Sequence, residues 1–72
     1  MKQKPVCTLI TSSTQYYSYM QYEIILYKQL SGWNPQVIKG GHQSQRLGTQ
    51  TTAAQALAAA VEYCNGREAG TV

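Results

Sequence analysis

Apolar and polar side chains follow three regimes along this chain. The first is a β-branched, apolar run over residues 6–12, beginning Val6-Cys7-Thr8-Leu9-Ile10, with Pro5 placed where a strand tolerates proline. A polar connection follows, Thr11-Ser12-Ser13-Thr14-Gln15. The second regime, residues 16–30, is the strongest strand signal: rich in Tyr, Ile and Leu, and free of Gly and Pro. Period-two alternation divides it. Tyr16, Ser18, Met20, Tyr22, Ile24 and Leu26 fall on one side, and Tyr17, Tyr19, Gln21, Glu23, Ile25, Tyr27 and Gln29 on the other. The first set is the better core face; the second would stay open, with three tyrosines and an isoleucine among its polar groups.

Ser31-Gly32-Trp33-Asn34-Pro35 reads as a turn, and residues 36–39 restart a strand. Gly40-Gly41 is a two-residue hairpin signal, which sends residues 42–47 back alongside. The third regime is helical. Thr52-Ala53-Ala54-Gln55 fits a capping box, and residues 53–64 are dominated by alanine, the best helix former. Ala53, Leu57, Ala60, Val61 and Cys64 form the inward stripe, and Asn65-Gly66 supplies a stop. The predicted architecture is α+β: a small antiparallel sheet of three or four strands with one C-terminal helix packed on one face. Residues 1–66 form a single compact domain and residues 67–72 a flexible C-terminal tail.

Composition narrows what such a domain does. Only 12% of the 72 residues are charged, about half the usual quarter of a soluble domain, while the 43% hydrophobic content is ordinary. Burying about 60% of the unfolded surface, at about 25 cal/mol/Å² for its apolar part, yields roughly 100 kcal/mol. Ordering the chain costs about the same at about 1.5 kcal/mol per residue, so a partner or second subunit would matter to stability. The net charge of +3 comes from cations scattered along the chain, which permits a nucleic-acid partner without demanding one. Residues 6–10 are too short and too polar for a signal-peptide core, and no apolar run approaches the ~20 residues of a membrane span. A cytoplasmic protein with reduced, buried Cys7 and Cys64 is therefore expected.

The chemical inventory points away from catalysis. There is no Asp, and Glu23, Glu62 and Glu68 are spread over different elements, which leaves no pair for acid–base work. Cys7, Cys64 and His42 are three scattered ligands where a structural zinc site wants four, so no metal and no cofactor are expected. Gly40-Gly41 lacks the lysine and following helix of a phosphate loop. No small-molecule substrate is expected. What rises above background is tyrosine, a stiff amphipathic side chain enriched at interfaces.

The expected contact residues are Tyr17, Tyr19, Ile25, Tyr27 and Trp33, with Lys28, Lys39 and Arg46 as polar or steering contributors. Trp33 has a second reading as a core plug at the hairpin end. These residues predict a non-enzymatic binding protein that uses a tyrosine-rich sheet face on a protein partner or on a second copy of itself. The alternative is nucleic acid, with tyrosines stacking on bases and Lys28, Lys39 and Arg46 meeting phosphates. The strand–hairpin–helix order, Trp33 in the hairpin and Thr52-x-x-Gln55-Ala56-x-x-Ala59 at the helix start resemble several compact families in layout. They are the double-stranded-RNA-binding-like half of HicB-type antitoxins, the arm-binding domains of phage integrases and small phage-encoded inhibitors. The likeness, one of order and size, spans residues 19–63, and no motif assigns the chain to any one of them; a short, charge-poor chain of this layout leads by analogy to the expectation of an inhibitor of a host enzyme or defence complex, of the anti-CRISPR kind.

Overall fold

A computed structural model describes residues 4–40 and 44–69 of the chain. Five strands run in chain order: β1 Val6–Ile10, β2 Thr14–Tyr19, β3 Tyr22–Gln29, β4 Gly32–Lys39 and β5 Gln45–Arg46. The helix α1, Ala53–Ala69, follows. The strands form one open sheet in the order β1-β2-β3-β4-β5 with every neighbouring pair antiparallel. The fold is thus α+β as expected, with five strands instead of three or four. The helix packs on one face, against β4 and β3. No helix among the described residues is long and apolar enough to cross a membrane.

The additional strand arises inside residues 16–30. Met20 and Gln21 form a two-residue turn, and Tyr19 pairs with Tyr22 across it. Met20 takes a φ of 54°, and no other non-glycine among the described residues has a positive φ. That sign pattern is the one of a type II′ turn, where glycine is the usual first residue. Neither Gly nor Asn marks this turn in the sequence. Its consequence is a slip of one position in the alternation. Tyr17 and Tyr19 of β2 oppose Ile24 and Tyr22 of β3, and so join them beneath the helix. The predicted division into even and odd positions holds within β3 and is reversed in β2.

The next turn is at Leu30-Ser31, not at residues 31–35, and Trp33, Asn34 and Pro35 lie within β4. Proline is tolerated there for a geometric reason. In an antiparallel strand the N–H and C=O of one residue point the same way, and the Pro35 carbonyl accepts from Leu47 N at 2.9 Å on the β5 side. The missing N–H therefore falls on that side, and no β3–β4 hydrogen bond is lost. Trp33 and Gln50 exchange both backbone hydrogen bonds further along the same edge. Two residues, Gly48 and Thr49, thus stand opposite Asn34 alone, which is the count of a bulge. Asn34 fills it, donating from Nδ2 to the Leu47 carbonyl at 3.0 Å. Gly32 has a φ of 137°, and a Cβ there would run into the Gln50 carbonyl. Gly41 and His42, assigned to the next hairpin and its returning strand, lie outside the described residues.

The core consists of Tyr19, Tyr22, Ile24, Leu26 and Val37 from the sheet with Ala56, Ala60 and Cys64 from the helix. Ala56, Ala60 and Cys64 are all fully buried, so small side chains let the helix sit close on the sheet. Ala53, Leu57, Val61 and Tyr63 flank that line and are half-buried, which shifts the innermost stripe from the predicted one to Ala56, Ala60 and Cys64. The capping box forms as expected. Gln55 N donates to Thr52 Oγ1 at 3.1 Å, and Thr52 N donates to Gln55 Oε1 at 3.3 Å.

The Asn65-Gly66 stop does not act. The helix continues to Ala69, so residues 67–69 belong to it and not to a flexible tail. Asn65 is engaged elsewhere, accepting a 2.7 Å hydrogen bond at Oδ1 from the Tyr19 hydroxyl, and Gly66 has no left-handed φ with which to cap.

The two glycines make opposite demands. A Cβ at Gly66 meets nothing within 4 Å, so Gly66→Ala should stabilise the helix by about 0.5–1 kcal/mol and raise the melting temperature by about 2–8 °C. Gly32→Ala should instead cost more than about 2 kcal/mol, because both its dihedral and the Gln50 carbonyl oppose a side chain. Thermal melts of the two variants read both signs. A lower melting temperature for Gly66→Ala would mean that the helix does not persist through that residue.

Candidate functional site

The sheet face away from α1 has no described element over it. Its composition follows from register. Leu9, Tyr16, Ile25, Gln36 and Arg46 are successive cross-strand partners and form one row across all five strands. Val6, Ser18, Glu23 and Ile38 form a second row, and Thr14, Tyr27 and Asn34 a shorter third. The extra residue in β1 at Thr8 is what places both Val6 and Leu9 on this side. Val6 is 62% exposed and Leu9 52%. Ile25, in the middle of the first row, is only 8% exposed although no described element packs over it. Tyr16, Tyr27 and Ile38 are half-buried.

Of the predicted contact residues, Ile25, Tyr27 and Arg46 lie on this face. Tyr17 and Tyr19 do not: the slip at Met20-Gln21 turns both to the helix side, where Tyr19 is 4% exposed and belongs to the core. Lys28 and Lys39 pair with Trp33 and Tyr22 and lie on the helix side as well. Trp33 is half-buried and packs against the core, which makes it the plug at the hairpin end. Cys64 is buried as expected, but Cys7 is exposed, on the edge strand β1, whereas the helix packs chiefly on β4 and β3.

Sequence reasoning missed Val6, Leu9, Tyr16 and Ile38. The readable signal was charge: no residue from Pro5 through Tyr22 is charged, so β1 and β2 together form a neutral half of the sheet. Among the described strand residues, the open face carries one cation, Arg46, and one anion, Glu23. It therefore offers apolar and amphipathic contact area with scattered hydroxyl and amide groups, and no paired titratable groups. Among the described residues no three of His, Cys, Asp and Glu come together as metal ligands.

On the helix side, partial burial raises the Tyr17 phenol above its ordinary 10.0, and the charge of a Cys7 thiolate raises it further. Its hydroxyl donates to Gln15 Oε1 at 2.8 Å. No family model matches this chain, and no match is found among curated proteins or solved structures.

A raised phenol pKa in the folded state means that the Tyr17 contribution to stability is fully present below pH 10.0 and is lost as pH rises through the raised value. Tyr17→Phe should accordingly flatten the alkaline fall in stability, measured by urea denaturation from pH 8 upward. An unchanged slope would show that Tyr17 ionises alike in the folded and unfolded chain.

Proposed function

We propose that this protein is a non-enzymatic binding protein that acts by covering a surface of a protein partner with the open face of its sheet. What supports this reading above all is the row Leu9–Tyr16–Ile25–Gln36–Arg46, which crosses all five strands and carries a single charge. Flat, charge-poor area with tyrosine and exposed aliphatic groups suits a protein interface. The cations favour the same choice. Lys28 and Lys39 lie on the opposite side from Tyr16 and Tyr27, so among the described strand residues Arg46 alone sets a positive charge on the face of those aromatic rings.

Occlusion is the mode of action that fits a domain of this size. A 72-residue chain with one flat face blocks a site on a larger protein without chemistry of its own. Small phage- or mobile-element-encoded inhibitors of host enzymes and defence complexes, anti-CRISPR proteins among them, work in this way, and we place the protein in that functional class. A second copy of the chain is the other partner this face accepts.

The test is capture of the tagged protein's partner from bacterial lysate with and without nuclease, together with the double variant Leu9→Lys/Tyr16→Ser. A stoichiometric protein partner should survive nuclease, and the variant should lose it while still melting cooperatively. Binding should change little between 50 and 200 mM salt, whereas even three phosphate contacts would weaken it on the order of 40-fold. Retention of the partner by the variant, or its loss on nuclease treatment, would overturn the assignment.

A further inference from the structure

The chain contains two asparagines, Asn34 and Asn65, and the residue after each decides its chemical fate in water. An asparagine amide is lost when the next backbone nitrogen gives up its proton and attacks Cγ. Pro35 has no N–H, so Asn34 is barred from that route. Gly66 has one, and without a side chain it approaches Cγ unhindered. Asn65 and Gly66 are both exposed, so water reaches them. The fold opposes the reaction twice. Ring closure needs the Gly66 nitrogen near the plane of Asn65 Cα, Cβ and Cγ, whereas a helical ψ of about −42° holds it out of that plane. The helical pattern also engages the Gly66 N–H with the carbonyl four residues back. The side chain is held as well, since Asn65 Oδ1 accepts from the Tyr19 hydroxyl at 2.7 Å. Tyr19 belongs to the core, so this tether is anchored in the sheet. Yet Asn65 lies only four residues before the helix ends at Ala69, and helix ends open most readily.

We propose that Asn65 is a deamidation site gated by the fold, which converts when the last turns of α1 open and Tyr19 releases its side chain. In this step hydroxide takes the proton of the Gly66 amide, and the nitrogen bonds to Asn65 Cγ. The side-chain nitrogen takes up a proton from water, which returns the hydroxide, and leaves as ammonia. Water then opens the cyclic imide at either carbonyl, giving aspartate or isoaspartate, with no oxidant or reductant. Neither product restores the native helix end. Aspartate adds a negative charge near the negative end of the helix dipole. Isoaspartate adds a methylene to the main chain and so breaks the i→i−4 ladder at that point. Conversion therefore weakens the end of α1, and in one direction only. The site depends on α1 and Tyr19 and not on the open face, so it stands or falls independently of the partner reading.

The whole chain is incubated at mildly alkaline pH, folded and in denaturing urea, and conversion at each asparagine is followed by peptide mapping with mass spectrometry. In urea Asn65 should convert and Asn34 should not. In the folded protein Asn65 should convert at least about tenfold more slowly, at a rate set by local opening. Tyr19→Phe keeps the ring and removes only the hydroxyl. It should speed conversion of the folded chain by about two- to tenfold, the worth of one hydrogen bond, and leave the rate in urea unchanged. Hydrogen exchange at the Gly66 amide should rise by the same factor, because it reports the same opening. Where Tyr19→Phe fails to melt cooperatively, the unaltered chain decides alone: the slowing of Asn65 on folding should match the exchange protection of the Gly66 amide. The proposal is overturned if Asn65 converts as fast folded as in urea, if it converts in neither, if its slowing and the Gly66 protection disagree, or if a folded Tyr19→Phe changes neither rate.

Discussion

The side chains of this protein reach their places through the two-residue turn at Met20-Gln21, which joins β2 to β3 and puts Tyr19 opposite Tyr22. In a sheet, a shift of one residue moves every side chain of a strand to the other face. Here the turn sends Tyr17 and Tyr19 beneath the helix and leaves Tyr16 on the open side. The core consequently contains two tyrosines in tandem across the hairpin, and the hydroxyl of one reaches the helix at Asn65. That hydrogen bond joins the sheet to the helix near its C-terminal end, where a terminating Asn-Gly pair would otherwise release it.

The other end of the architecture rests on small residues and one bulge. Ala56, Ala60 and Cys64 fill little volume, so α1 lies low over β3 and β4. A larger side chain at either alanine would lift the helix from Ile24 and Leu26. Along the far edge, Pro35 has no N–H to offer, and the chain opposite it bulges at Gly48-Thr49 while Asn34 closes the space. The returning segment thus covers the β4 edge by a few specific hydrogen bonds, with Leu47 turned inward to the core.

These two features divide the chemistry of the surface. The neutral strands β1 and β2 give the open face apolar groups that no described element covers, while Lys28, Lys39 and Arg67 lie on the helix side or at its rim. Aromatic residues serve both sides differently. On the open face Tyr16 and Tyr27 are half-buried, and on the helix side the rings of Tyr22 and Tyr63 lie against Lys39 and Arg67.

By itself the sequence determined the elements that depend on local chemistry. The capping box at Thr52 and Gln55, the alanine-rich helix, the strand character of residues 6–10 and 22–29, and the α+β layout were all legible because each rests on neighbours within a few residues. Of the residues named from the sequence, Ile25, Tyr27 and Arg46 lie on the open side of the sheet, and Tyr17 and Tyr19 lie on the helix side. Only the tertiary structure decided which tyrosines face outward, because Met20 carries no turn signal and the parity of β2 hangs on that one connection. It also decided the fate of Pro35, whose tolerance depends on a partner strand, and of Asn65-Gly66, where a hydrogen bond from Tyr19, 46 residues away, competes with a local stop. Local propensity is read along the chain, whereas register and long-range hydrogen bonds are set across it, and which side chains share each face of this sheet is a product of register.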